Sequence, residues 1–211
     1  MSAPRLARPW LDVPLPARLR TLGWCLNAPG FGWAEAVHWR EVRDADLGPG
    51  RDAPAWLAAE LARTGRRGPC FVTSRDVRAF VRRAASAEGA GAWAVATVGL
   101  SNAERIGARA AAAVAAGTIN VLAVADRPLS DGALVEALSL VAEARTAAVM
   151  EGGPALPAGR ATGTGTDCVL VGAPGGGAPH AGKHTAVGEA LGRAAYEAVA
   201  RGVADWMGRA A

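Results

Sequence analysis

The stretch Gly117-Thr118-Ile119-Asn120-Val121-Leu122-Ala123-Val124-Ala125-Asp126 decides the fold. An apolar run of this length, bounded by a glycine and a charge, reads as a buried strand over Thr118–Ala125. Ser130 or Asp131 then caps a helix in which Leu134, Leu138, Val141 and Ala142 recur at helical spacing, ending near Met150. Upstream, Ala92–Val98 is a second buried strand. Downstream, Asp167–Val171 is a third, and Thr185 caps a last helix that runs to about Met207 with Val187, Leu191, Ala195 and Val199 inward. Strands alternating with helices indicate an α/β domain with a mixed sheet core flanked by helices, built as one sheet or as two stacked sheets.

Working outward, Arg20–Leu26 reads as a strand, and Trp33, Val37 and Trp39 largely alternate with polar Glu35, His38 and Arg40 in another. The turn Asn27-Ala28-Pro29-Gly30-Phe31-Gly32 joins them into a hairpin. Pro54–Thr64 is a helix that buries Trp56, Leu57 and Leu61, and Cys70–Thr73 is a short strand. Ser74 is placed to cap a helix through Val77, Phe80, Val81 and Ala84. Ala103–Ala116 reads as an alanine-rich helix ended by Gly117. Four prolines make residues 1–16 an extended segment ahead of a single domain over 17–211.

At 211 residues the chain has room for one sizeable core. The net charge of +4 is dispersed, no nucleic-acid motif accompanies it, and no nucleic-acid partner is expected. The longest apolar region, Ile106–Ala125, is interrupted by Arg109 and Asn120 and is too polar for a membrane span. Cys25, Cys70 and Cys168 form no CxxC pair, so neither a disulfide framework nor a zinc site is expected. Buried thiols and the lack of a signal-peptide core in residues 1–16 point to the cytoplasm. No cofactor or metal is called for, and a homo-oligomer is left open.

Four polar, glycine-bearing segments lie at the ends of apolar runs: Ala96–Ala103, Gly117–Val121, Ala161–Asp167 and Gly182–Glu189. Glycine lets a backbone approach a ligand closely. Ser101 and Asn102 either close a strand with a turn or face a ligand at the sheet edge. Asn120, inside an apolar strand, needs a hydrogen-bond partner, supplied by a site or by a second backbone segment. Gly163, Thr164, Thr166 and Asp167 offer backbone N–H groups and hydroxyls in a nest-like turn, with Thr118 another hydroxyl nearby in type. This is neither a P-loop nor a dinucleotide fingerprint.

His184 opens the last helix behind a glycine loop and is the candidate general base. Lys183, the chain's one lysine, is a candidate point charge, and Asp126 a candidate carboxylate at a strand's C-terminal rim. Glu189 either orients His184 or caps the helix. His180 and His184 lie four apart, but Lys183 between them argues against zinc.

In this order, these segments and the Asn27-Ala28-Pro29-Gly30 turn resemble the adenosylcobinamide amidohydrolase family from about Thr21 onward. The resemblance implies hydrolysis of the amide joining the corrin ring of adenosylcobinamide to aminopropanol, giving adenosylcobyric acid in cobalamin salvage. The resemblance assigns no residue roles; amide hydrolysis needs a nucleophile, oxyanion donors and an acid for the amine, and His184, Lys183 and Asp126 are the catalytic candidates on their own chemistry. Ser101, Asn102, Thr118, Asn120, Gly163, Thr164, Thr166, Asp167 and Glu189 would then surround a corrinoid substrate. The alternative is a corrinoid-binding module without turnover. Gly117 to Leu129, the long helix after it, and Gly165-Thr166-Asp167 before a strand are also similar to part of the self-cleaving aminopeptidase and ornithine acetyltransferase fold. No matching cleavage motif is present.

Overall fold

The computed structural model describes residues 3–43, 45–48, 50–108 and 117–210. In chain order the strands are β1 Arg5–Ala7, β2 Trp10–Cys25, β3 Ala28–Glu41, β4 Cys70–Thr73, β5 Val81–Ala87, β6 Ala90–Val98, β7 Ala103–Glu104, β8 Ile119–Ala125, β9 Ala155–Leu156, β10 Gly159–Arg160, β11 Gly163–Thr164 and β12 Cys168–Ala173. The helices are α1 Ala53–Arg63, α2 Asp131–Gly152 and α3 Ala186–Ala210. Each starts where a side chain satisfies an orphan N–H: Asp52 accepts from Ala55 N (3.0 Å), Ser130 from Ala133 N (3.1 Å) and Thr185 from Gly188 N (3.0 Å).

The main sheet has eight strands in the order β4-β3-β2-β12-β8-β6-β5, with β1 paired to β2. It is mixed: β8 and β12 are parallel, β3 and β4 are parallel, and the remaining pairs are antiparallel. One face carries small residues, among them Ala92, Ala94, Ala96, Val121, Ala123 and Val171. These let α2 and α3 pack closely through Ala133, Leu134, Val141, Leu191, Ala195 and Val199.

The other face, with Trp93, Val95, Leu122, Val124 and Leu170, is covered by Leu11, Val13, Val37, Trp39 and Phe71. Those covering residues come from β2, β3 and β4 of the same sheet. β4 lies four strands from β8, about 19 Å in a flat sheet. Yet Asn120 of β8 donates to the Val72 carbonyl of β4 at 3.0 Å. The sheet therefore doubles over, and its register shift between Pro14 and Leu19 supplies the bend. Pro14 and Pro16 are tolerated at such an irregularity. The choice between one sheet and two stacked layers resolves as a single sheet folded into two layers.

Three local expectations are corrected. The helix through Val77–Ala84 is a 3-10 turn, Val77–Ala79, followed by β5. Asp76, not Ser74, caps the turn by accepting from Arg78 N at 2.8 Å. β5 then returns through Glu88-Gly89, both at positive φ (45° and 79°), into β6. A dipeptide ending in glycine between two apolar-bearing runs is a hairpin signal, and cross-strand pairing outweighed the helical spacing.

The alanine-rich helix expected from Ala103 does not start there. Ala103–Glu104 is β7, paired to β11, and Ala108 bridges to Arg105. The rest of that reading, 109–116, lies outside the described residues. Finally, the 27–32 turn shrinks to Leu26-Asn27, since Cys25 already pairs with Ala28. Asn27 instead ties down the α1–β4 loop, donating to Gly68 O (3.0 Å) and accepting from Cys70 N (2.9 Å).

Candidate active site

Because β6 runs antiparallel to β8 and β12 parallel to it, three sequence-distant segments meet at one end of the sheet. These are the residues after β6 (Ser101, Asn102), those at the start of β8 (Gly117, Thr118, Asn120) and those before β12 (Thr166, Asp167). The C-terminal ends of β2 and β4 close the same end with Trp24, Thr73 and Ser74. Together they enclose a cavity of about 490 Å³, with Trp24, Leu26 and Phe71 among its apolar walls and hydroxyl and amide groups on its floor.

Asp167 organises this floor. Its carboxylate accepts from Ile119 N (3.1 Å) and Thr164 N (3.0 Å), and also from Thr164 Oγ1 and the Arg145 guanidinium of α2. Its side chain is only 7% exposed. Four donors occupy the lone-pair directions of a buried carboxylate, so Asp167 is a clamp and has no free oxygen for proton abstraction. Its main-chain carbonyl accepts from Trp24 Nε1 at 2.7 Å, which fixes one cavity wall to the floor.

Two threonines lock the neighbouring strand starts together: Thr166 Oγ1 donates to Gly117 O (2.8 Å), and Thr118 Oγ1 donates to Thr166 O (2.9 Å). Asn120, 1% exposed, donates to Val72 O, and its Oδ1 lies 3.4 Å from Thr118 Oγ1. The Thr118 proton is directed to the shorter contact, so Asn120 Oδ1 keeps acceptor capacity. Asn102 Oδ1 is buried and has no hydrogen-bond partner. An unpaired buried polar atom costs about 1–3 kcal/mol, and Asn102 is among the residues that line the cavity.

Gly117 permits the close approach of these segments: a Cβ there would lie 2.6 Å from Ser101 Oγ and 2.7 Å from Asn102 Oδ1.

Two thiols border the cavity. Burial pushes the Cys70 thiol up to about 12. Cys168 lies with its Sγ 3.9 Å from that of Cys25, whose thiol is raised by this neighbour and by burial. Thiols held protonated in this way are poor nucleophiles, so Cys25 and Cys70 are packing residues.

Eight of the residues singled out in the sequence therefore converge: Ser101, Asn102, Thr118, Asn120, Gly163, Thr164, Thr166 and Asp167. The other four lie elsewhere. Asp126 follows the opposite end of β8, about 20 Å from Asn120, where it is exposed and accepts from Gly91 N at 2.9 Å. Lys183 pairs with Glu143 on α2, and Glu189 with Arg193. His184 is exposed just before α3. Gly202 of α3 touches Val98 at the cavity end of β6, and Ala186 is about 24 Å back along the helix axis from it. The site also contains groups the sequence reading passed over. Thr73 and Ser74 line the cavity and carry the same signal as the rest, hydroxyls at a strand end. Arg145, which reaches the site through Asp167, carries none, because a single arginine in a long helix reads as solvent-facing. Among the described residues no cluster of three or more potential metal ligands occurs.

The family whose model the chain matches is one of amidohydrolases, enzymes acting on a linear amide C–N bond. The chain belongs to the adenosylcobinamide amidohydrolase family, which it matches over residues 3–211. Similar solved structures include a beta-aminopeptidase from a Burkholderia species, at 15% identity and TM-score 0.48, over 94% of this chain and 78% of that one. A Pyrococcus horikoshii OT3 protein aligns at 12% identity and TM-score 0.47, over 94% and 76%. No curated protein matches the chain. No helix among the described residues is long and apolar enough to cross a membrane.

Proposed function

We propose that the chain hydrolyses the amide between the corrin ring of adenosylcobinamide and aminopropanol, releasing adenosylcobyric acid, and that it does so in the cavity at the starts of β8 and β12. The observation that carries this reading is the buried, unpartnered Asn102 Oδ1 beside Gly117-Thr118 at the polar end of the cavity. An amide substrate brings an N–H for Asn102 and a carbonyl that needs donors as negative charge develops on its oxygen. Thr118 lines the cavity with its hydroxyl proton directed at Thr166 O, so its oxygen can approach that carbonyl only through its lone pairs, as a nucleophile, with Asn120 beside it. Trp24 and Leu26, 41% and 43% exposed at the cavity mouth, offer an apolar ledge for a macrocycle too large to enter. His184, Lys183 and Asp126 have no part in this arrangement.

The test is incubation of the metal-free protein with adenosylcobinamide, followed by mass spectrometry for adenosylcobyric acid and aminopropanol. Product is expected, whereas corrinoid binding without product would identify a binding module and overturn the reading. Thr118→Ala is expected to keep corrinoid binding and lower turnover by about a hundredfold or more, while His184→Ala turns over at the parent rate. Loss of turnover in His184→Ala with full activity in Thr118→Ala would move the site to the other end of the sheet.

A further inference from the structure

A second cavity, also of about 490 Å³, opens on the outer side of the β2–β3 hairpin, away from the site just described. Its floor is a polar pin of buried His38 with half-buried Asp12 and Arg66. Asp12 accepts a bidentate pair from Arg66 (2.8 and 2.9 Å) and lies 2.7 Å from His38 Nδ1, while His38 Nε2 lies 3.0 Å from the Arg67 carbonyl. Arg66 also lies 4.1 Å over the Trp10 ring. The charges of the floor are thus matched internally, and its geometry is fixed.

The rim is different. Arg5 from β1, Arg18 from the irregular stretch of β2, and Arg67 from the α1–β4 loop converge on the opening from three separate elements. Arg8, Arg40, Arg66, Arg78 and Arg145 each face a carboxylate. Among the described residues none lies within ion-pair distance of Arg5, Arg18 or Arg67. Four arginines line the cavity against two carboxylates, and one of those, Asp12, is already taken by Arg66. Beyond the Arg66–Asp12 pair, three arginines share the opening with one carboxylate, Glu35; an excess of like charge is unfavourable, and a bound anion reverses the sign of that term. Trp33, half exposed, stands at the same opening with the Arg18 guanidinium 5.6 Å from its ring centre.

We propose that this cavity binds a small organic phosphate of nucleotide size. Arg5, Arg18 and Arg67 take the phosphate oxygens, since planar guanidinium forks match that group. Trp33 contacts the organic part. The volume suits a ligand of this class. The two contributions are separable because inorganic pyrophosphate engages the arginines alone, whereas a nucleoside diphosphate engages both.

The experiment is isothermal titration of the intact protein with pyrophosphate and with ADP at low salt. One saturable site for each is expected, with ADP the tighter. Arg18→Ala and Arg67→Ala are each expected to weaken both ligands by about tenfold or more. Trp33→Ala should weaken ADP and leave pyrophosphate unchanged. Arg51→Ala, an exposed arginine outside the cavity, should leave both unchanged, and so should Thr118→Ala. The exchanged rim side chains are exposed, and matched urea midpoints would show that the variants remain folded. Equal weakening by Arg51→Ala would reduce the effect to diffuse charge and overturn the proposal. So would binding of a polynucleotide without binding of ADP or pyrophosphate, or no saturable binding at all. Adenosylcobinamide turnover by Arg18→Ala and Arg67→Ala is expected at the parent rate, so failure of this site and failure of the amidase reading are separate results.

Discussion

Replacing Asp167 by asparagine tests the reasoning about the cavity floor most directly, because the change alters charge and donors while keeping shape. The carboxylate now accepts from Ile119 N, Thr164 N, Thr164 Oγ1 and Arg145. An asparagine oxygen can retain one side of this arrangement. Its NH₂ must then face two of those donors, and the Arg145 guanidinium loses its counter-charge. Arg145 and Asp167 are 16% and 7% exposed as side chains, so water replaces little of what is lost.

Removing one partner of a buried pair costs about 3–5 kcal/mol, and the remaining access of Arg145 to solvent places this case near 3. A domain of this kind has about 5–15 kcal/mol in total. With a urea slope of about 2 kcal/mol/M, the unfolding midpoint should drop by about 1.5 M at unchanged slope. Asp167→Asn with Arg145→Met should recover part of the loss, since the second change removes the stranded charge. A midpoint shift below about 0.5 M, or strictly additive single and double variants, would refute the clamp.

Gly117→Ala forces a methyl to within 2.7 Å of Ser101 Oγ and Asn102 Oδ1, so it should lower turnover strongly; its far-ultraviolet circular dichroism should match the parent, and parent-like kinetics would remove these segments from the site. Stability should fall in acid. Arg78 hydrogen bonds hold Asp76 down at about 2, and at Asp12, although burial raises the carboxyl, hydrogen bonds from Arg66 and His38 outweigh it and hold it below the usual range. Carboxylates depressed in the folded state contribute stability that is complete above their unfolded pKa of about 3.9 and is lost as pH falls through the folded values. Urea midpoints should therefore decline from about pH 4 toward pH 2, and a flat profile there would contradict both assignments.

The residues of the floor were recognisable because each breaks a rule where an apolar strand ends. Asn120 is an amide inside a strand that is otherwise isoleucine, valine, leucine and alanine, Gly117 a glycine against Ser101-Asn102, and Asp167 a carboxylate at the start of a buried run. What one dimension does not carry is which strand ends share a side of the sheet. For β8 part of the answer was available, since a seven-residue strand separates its termini by about 20 Å. Thr118 and Asp126 could not both reach one amide.

For His184 nothing local sufficed. Its position follows from β12 running parallel to β8, which sends the chain out at the Asp126 end before α3 begins. Arg145 was illegible for a complementary reason. Its place in α2 is that of an ordinary polar residue, and only the docking of that helix on β12 turns it toward Asp167. Local chemistry thus marks the candidates, and strand direction sorts them. Here the sorting sets the general-base candidate apart from the hydroxyl-and-amide cluster, which is why exchanging His184 and Thr118 in one assay separates the two ends of the sheet.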